Sequence, residues 1–163
     1  MSVDAIARCW LLFGMTEESA AIDGVSDLAA RVYRASFRDT VYSVVPFREP
    51  RVTSRHFRRK ERHSDDEGTP LEPLRSLHPR TALFVNPTEF ASTWSGDLES
   101  FNEVMLVGVN TDNRLLGSAL TLFDEGVPVI ISSSFCLSSD GTALSTTALQ
   151  AVAQSLGNWR VRD

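Results

Sequence analysis

A series of apolar, β-rich runs recurs along the chain and most constrains what it can fold into. The runs are "RCWLLF" (8–13), "TVYSVV" (40–45), "TALFV" (81–85), "EVMLVGV" (103–109) and "VPVIISSS" (127–134), with "WRVR" (159–162) as a sixth. They are close to continuous rather than alternating in polarity. A strand reads this way when both of its faces are buried, as in a parallel sheet covered by helices. Helical patterns lie between the runs. "VSDLAARVYRASF" (25–37) offers Ser26 and Asp27 as caps and sets Leu28, Val32 and Ala35 on one side. In "DNRLLGSALTLFDEG", Leu115, Leu116, Ala119, Leu120 and Phe123 form a stripe, and Gly126 suits the C-terminal stop. "ALSTTALQAVAQSLG" (143–157) repeats the pattern and ends at Gly157. Strands alternating with helices predict an α/β fold, a three-layer sandwich with a mostly parallel sheet of about six strands.

At 163 residues, one domain over 1–163 is expected. Residues 48–80 break the rhythm. Their first half is basic and their middle, "SDDEG", acidic, so they read as a long polar loop with one helical turn near "PLEPLRSL". No apolar run reaches the ~20 residues of a membrane span. "MSVDAIARCWLLFG" lacks the basic start and cleavage site of a signal peptide, so a cytoplasmic location is expected. Cys9 and Cys136 make neither a disulfide framework nor a metal-ligand spacing, and no cofactor or metal is expected. A net charge of −5 argues against a nucleic-acid partner, although "RHFRRKERH" is locally basic.

In an open α/β sheet, ligands bind beyond the carboxyl ends of the strands. That rule directs attention to Gly14–Glu18, Pro46–Arg48, Asn86–Phe90 and Val109–Arg114. At these strand ends the sequence resembles the isochorismatase-like cysteine hydrolases, which include nicotinamidases and carbamoylsarcosine hydrolases. Gly108-Val109-Asn110-Thr111-Asp112-Asn113-Arg114-Leu115 is similar to that family's Gly-Val-x-Thr-Asp-x-Cys-Val motif. "FCLSSD" (135–140), "EGTPLEPL" (67–74), "NPTEFASTWSGDL" (86–98) and "WLLFGMTE" (10–17) resemble further family segments in the family's order. The resemblance implies strand order 3-2-1-4-5-6, a homodimer or homotetramer joined through helices, a structural Cys136, and a cis peptide at Val109–Asn110.

The family's chemistry uses a cysteine nucleophile, an aspartate and a lysine. All three matching positions differ here. They hold Arg114, Gly14, and Pro87 or Asn86, and the chain's single lysine, Lys60, lies in the basic loop. Thiol catalysis of the family type is therefore not expected. Arg114 stands at a helix start, where a cation meets an unfavourable ~0.3–1 kcal/mol unless an anion is beside it. It either binds an anionic ligand with the turn's N–H groups, or fills the vacated space and pairs with a neighbouring acid. Glu17, Glu89 and Asp112 are the acid or base candidates. Met15, Phe90, Trp94, Val109, Asn110, Thr111 and Asn86 are the candidate ligand contacts, with ordinary core packing as the other reading of the aromatics. His56, His63 and His78 show no clean metal spacing. Two functions remain open at this point. One is a repurposed small-molecule site doing non-covalent acid/base or electrostatic chemistry in bacterial specialised metabolism. The other is a catalytically dead pseudoenzyme that acts as a ligand sensor or protein partner.

Overall fold

The computed structural model describes residues 6–46, 68–109, 114–138, 146–157 and 160–162. Among these residues six strands form one parallel sheet: β1 (Arg8–Phe13), β2 (Thr40–Pro46), β3 (Arg80–Phe84), β4 (Glu103–Val109), β5 (Val129–Leu137) and β6 (Val161–Arg162). Their spatial order is β3-β2-β1-β4-β5-β6, as the resemblance implies. Among the described residues four α-helices accompany them: α1 (Val25–Ser36), α2 (Pro87–Leu98), α3 (Arg114–Asp124) and α4 (Thr146–Leu156). No helix among the described residues is long and apolar enough to cross a membrane.

The continuous apolar runs are explained by burial on both sheet faces. On one face, Leu11, Phe13, Val44, Leu106 and Ile131 pack with Phe90 and Leu98 of α2, Leu115, Ala119 and Leu122 of α3, and Val152 and Leu156 of α4. On the other, Trp10, Leu12, Val41, Met105 and Ile130 pack with Val25, Leu28, Ala29 and Val32 of α1 and with Leu71 and Leu74. These are the three expected layers.

The caps of α1 differ from expectation. Gly24, at φ 80°, is its N-cap, and Ser26 and Asp27 lie inside the first turn, where Asp27 pairs with Arg31 at 2.9 Å. The buried stripe continues from Leu28 and Val32 to Ser36, not Ala35, because four-residue spacing keeps one face inward. The Ser36 hydroxyl is satisfied there by donating to the Val32 carbonyl at 2.7 Å. Gly126 and Gly157 take positive φ at the ends of α3 and α4, as stop residues do.

Helix α2 was not foreseen from periodicity, since its apolar stripe is short. Its start is nevertheless written in the chain. Asn86 accepts a hydrogen bond from the Glu89 N–H at 2.9 Å, and Pro87 takes the first helical position. Strand β5 also runs further than "VPVIISSS" suggests. A register irregularity between Leu106 and Gly108 lets Cys136 pair with Gly108 and Leu137 with Val109, so Cys136 lies in the strand rather than in a turn.

The end of the polar loop is ordered against the sheet. Thr16 bridges Pro70, the Glu17 N–H donates to the Thr69 carbonyl at 2.9 Å, and the Leu71 N–H donates to the Met15 carbonyl at 3.2 Å. A helical turn follows at Leu74–Leu77, where one was expected. The rest of the loop, with Arg48, Arg51, Arg55, His56, Lys60 and His63, lies outside the described residues, as do Asn110, Thr111, Asp112 and Asn113.

Candidate functional site

A cavity of about 380 Å³ opens at the carboxyl ends of the strands. Phe13 and Gly14 end β1 on its floor, Val44, Val45 and Pro46 bring β2, Leu83 and Phe84 bring β3, and Val109 ends β4. Thr16, Glu18, Ser19 and Ile22 form one side together with Gly68, and Arg114 comes in from the head of α3. The strand-end rule thus locates the cavity, and three of the four flagged segments reach it.

The walls are mainly apolar. Among the described residues, Arg114 is the one cation on the lining and Glu18 the one acid. Arg114 is exposed, and its guanidinium carbon stands 6.0 Å from the centre of the Phe84 ring. Phe84 is itself braced by Phe13 and Phe90, with ring centres 6.4 and 5.8 Å away. The cation therefore has an aromatic face beneath it, an attraction of roughly 0.5–1 kcal/mol at an exposed site. No ion pair or hydrogen bond from the Arg114 guanidinium is found among the described residues.

Two glycines shape the floor by close backbone approach. Gly14 has φ 63°, and a Cβ there would lie 2.8 Å from the Val109 carbonyl oxygen. Gly108 has φ 144°, and a Cβ there would collide with the Phe13 carbonyl oxygen. The β1 and β4 ends can meet this closely only because neither position bears a side chain. Gly14 is the position that the resemblance gives to the aspartate. In this backbone an acid at that position is sterically refused.

Neither thiol belongs to the cavity. Cys9 lies near the opposite end of β1, opposite Thr40 and Val104. Burial, with Asp39 adding to it, pushes its thiol up to about 12. Cys136 is packed under the strand ends, and burial pushes it to about 12 as well, outweighing the opposing effect of its hydrogen bond with the Gly108 backbone. Both stay protonated at neutral pH, and a protonated, enclosed thiol is a poor nucleophile.

The other sequence candidates are distributed as follows. Val109 lines the cavity beside Arg114. Met15 does not. At 1% exposure it belongs to the core on the α1 side, opposite the face that takes Phe13, because Gly14 at φ 63° between them breaks the alternation of the strand. Glu17 points away, held by Arg75 at 2.7 Å, while its neighbour Glu18 reaches the lining. Asn86 is occupied as the α2 cap. Glu89, Phe90 and Trp94 line a second, shallower groove of about 360 Å³ with Thr81, Leu83, Val85 and Thr93 at the β3 edge. Phe90 is 1% exposed, and Trp94 stacks edge-on against Tyr42 at 5.4 Å, so both serve mainly as packing. Asn110, Thr111 and Asp112 fall outside the described residues. The lining residues that sequence reasoning missed are chiefly Leu83 and Phe84 of β3. The position of β3 beside β2 is what brings them there, and no local signal states it.

Compared by sequence, the chain matches no family model and no curated protein. Compared by structure, it matches solved hydrolases over nearly its whole length. A nicotinamidase from Bacillus subtilis superposes with a TM-score of 0.68 at 14% identity, covering 97% of this chain and all of that one. The isochorismatase-like fold is shown. An isochorismatase-like hydrolase from Alkaliphilus metalliredigens gives 0.60 at 14% identity, over 96% of this chain and 92% of that one. A protein described as MAR1 ribonuclease, from Caenorhabditis elegans, gives 0.65 at 11% identity, over 96% of this chain and 76% of that one. On the isochorismatase-like fold, the three positions that the resemblance gives to cysteine, aspartate and lysine are here Arg114 at the head of α3, Gly14 at the end of β1, and Asn86-Pro87 at the start of α2. Pro87 contacts α3. Its Cγ would lie 2.9 Å from a Cβ on Gly117, and its carbonyl accepts from the Thr121 hydroxyl at 3.1 Å.

Proposed function

We propose that the cavity at the strand ends binds a small molecule bearing an anionic group, and that Arg114 receives that group. The observation that carries this reading is the guanidinium itself. It stands at a helix start, over the Phe84 ring, as the one cation on a mainly apolar lining, and no ion pair with a carboxylate neutralises it among the described residues. A cation placed against the helix dipole in this way gains from a bound anion. The chemistry, where the ligand reacts, is non-covalent: Arg114 stabilises developing negative charge, and Glu18 is the acid or base. Structural relatives described as nicotinamidase, isochorismatase-like hydrolase and ribonuclease support a ligand-handling fold but differ in reaction, so the fold leaves the substrate open. A second reading, a ligand sensor without turnover, is supported by the buried, protonated thiols and by the closed Gly14 position.

The test is a thermal-shift screen of small carboxylates and phosphates against the wild type and Arg114→Met. A ligand at 100 times its Kd adds about 2.7 kcal/mol of stability. The wild type is expected to shift with at least one anion, and Arg114→Met to lose most of that shift while melting within a few degrees of the wild type without ligand. Equal shifts in the two proteins would remove Arg114 from the site. Turnover of the bound compound separates enzyme from sensor.

A further inference from the structure

Strand β3 forms one edge of the sheet, and no strand among the described residues pairs with its outer side. Ala82 and Phe84 point into the core, while Thr81, Leu83 and Val85 point outward, with Leu83 51% and Val85 53% exposed. An edge strand offers a row of unpaired N–H and C=O groups, which proteins usually blunt with charge, proline or a bulge. Nothing of that kind stands between Thr81 and Val85. The charges that flank this apolar stretch have opposite signs at opposite ends. Arg80 opens the strand, and Glu89 lies in the first turn of α2, just past its far end. Both are exposed.

We propose that the β3 edge pairs antiparallel with the β3 edge of a second copy of this chain, about a two-fold axis at Leu83. Side chains alternate with period two, so the outward residues share a face only if odd positions oppose odd positions. Leu83 opposite itself then sets Thr81 against the partner's Val85. It also sets Arg80 against the partner's Asn86, the residue whose side chain caps the Glu89 N–H. Each Arg80 is thereby brought to the same helical turn as the partner's Glu89, at both ends of the pair. A parallel arrangement would set like charges side by side instead, which is unfavourable. Leu83 also lines the strand-end cavity, so the paired edge continues that cavity's outer wall.

The register can be read by cross-linking. Opposed Cα atoms in an antiparallel pair lie about 4.5–5.5 Å apart, within disulfide reach, and both native cysteines are buried. Under mild oxidation, Leu83→Cys is expected to form a linked dimer on a non-reducing gel. Val85→Cys alone is expected to form none, but to link when mixed with Thr81→Cys. By sedimentation the wild type is expected to have the mass of two chains and Leu83→Lys that of one. Arg80→Glu is expected to weaken the dimer, and adding Glu89→Arg to restore it. A wild type that stays monomeric at all concentrations overturns the proposal. So does a dimer that persists in Leu83→Lys while Leu83→Cys fails to cross-link, since the copies would then meet through another face. Should Leu83→Lys fail to fold, the cross-linking of Leu83→Cys decides alone.

Discussion

Gly14 shows at the scale of one residue why this cavity is not a simple acid–base site with one group changed. Its φ of 63° and its 2.8 Å approach to the Val109 carbonyl exclude a side chain from a position where the resemblance implies an acid. Restoring aspartate there is expected to cost stability rather than rebuild a site. The left-handed backbone alone costs a side chain roughly 1–2 kcal/mol, and the contact with Val109 adds to that. Gly14→Asp is therefore expected to lower stability by about 2 kcal/mol or more, read as a lower urea midpoint with an unchanged slope. A midpoint equal to the wild type would show that the β1 end can relax away from β4. The "GVNTDNRLL" turn was legible as a site marker, but the glycine requirement at position 14 was not. It depends on the carbonyl of a residue 95 positions away in sequence, on a neighbouring strand.

At the scale of the element, α2 and α3 form the seam that sets Arg114 over the strand ends. Gly117 admits Pro87, and Thr121 holds the Pro87 carbonyl, so the two helices approach at the start of α2. The Asn86 cap fixes where α2 begins. Asn86→Ala removes the acceptor for the Glu89 N–H and is expected to cost about 1 kcal/mol, measured by chemical denaturation. Asn86→Asp is expected to retain most of the stability, since it keeps the acceptor and suits the dipole. If Asn86→Ala were neutral instead, the side chain would be free for the ligand role that the sequence suggested. The Asn-Pro-x-Glu start of α2 was present to be read as cap, first-turn proline and first-turn acid. Its apolar stripe was too short to mark it by period, which is why α1 and α3 were legible and α2 was not. The reverse happened at β5, where the strand outlasts its apolar run. The irregularity opposite Leu106–Gly108 that continues the pairing to Leu137 is a property of two strands, not of one.

At the scale of the whole molecule, the end of the sheet opposite the cavity is tied by one carboxylate. Glu103, at the start of β4, receives Arg8 of β1 at 2.7 Å and Arg162 of β6 at 3.0 Å, joining the centre of the sheet to its last strand. Partial burial works to raise its carboxyl, but the hydrogen bonds and charges of Arg8 and Arg162 outweigh that and hold it below the usual carboxylate range. A lowered folded pKa means that the clamp is fully present above the ordinary carboxylate pKa of about 4.3 and is lost as pH falls through the lower folded value. Because the arginines are partly exposed, the clamp is expected to contribute only about 1 kcal/mol. Glu103→Gln is expected to be less stable than the wild type by that amount at pH 7, with the difference closing below pH ~4. Urea titrations at both pH values check this, and a difference that grows in acid would contradict it. The chain alone determined the layers, the parallel sheet and the strand ends as the place to look, because burial on two faces and helical periodicity are written in local runs of residues. Which side chains face the cavity was decided only by tertiary structure. Glu18 rather than Glu17, Phe84 under Arg114, and Met15 turned into the core each depend on where a distant strand or the 68–77 segment lies. Such placements arise from packing between segments far apart in the chain, and local sequence carries no record of them.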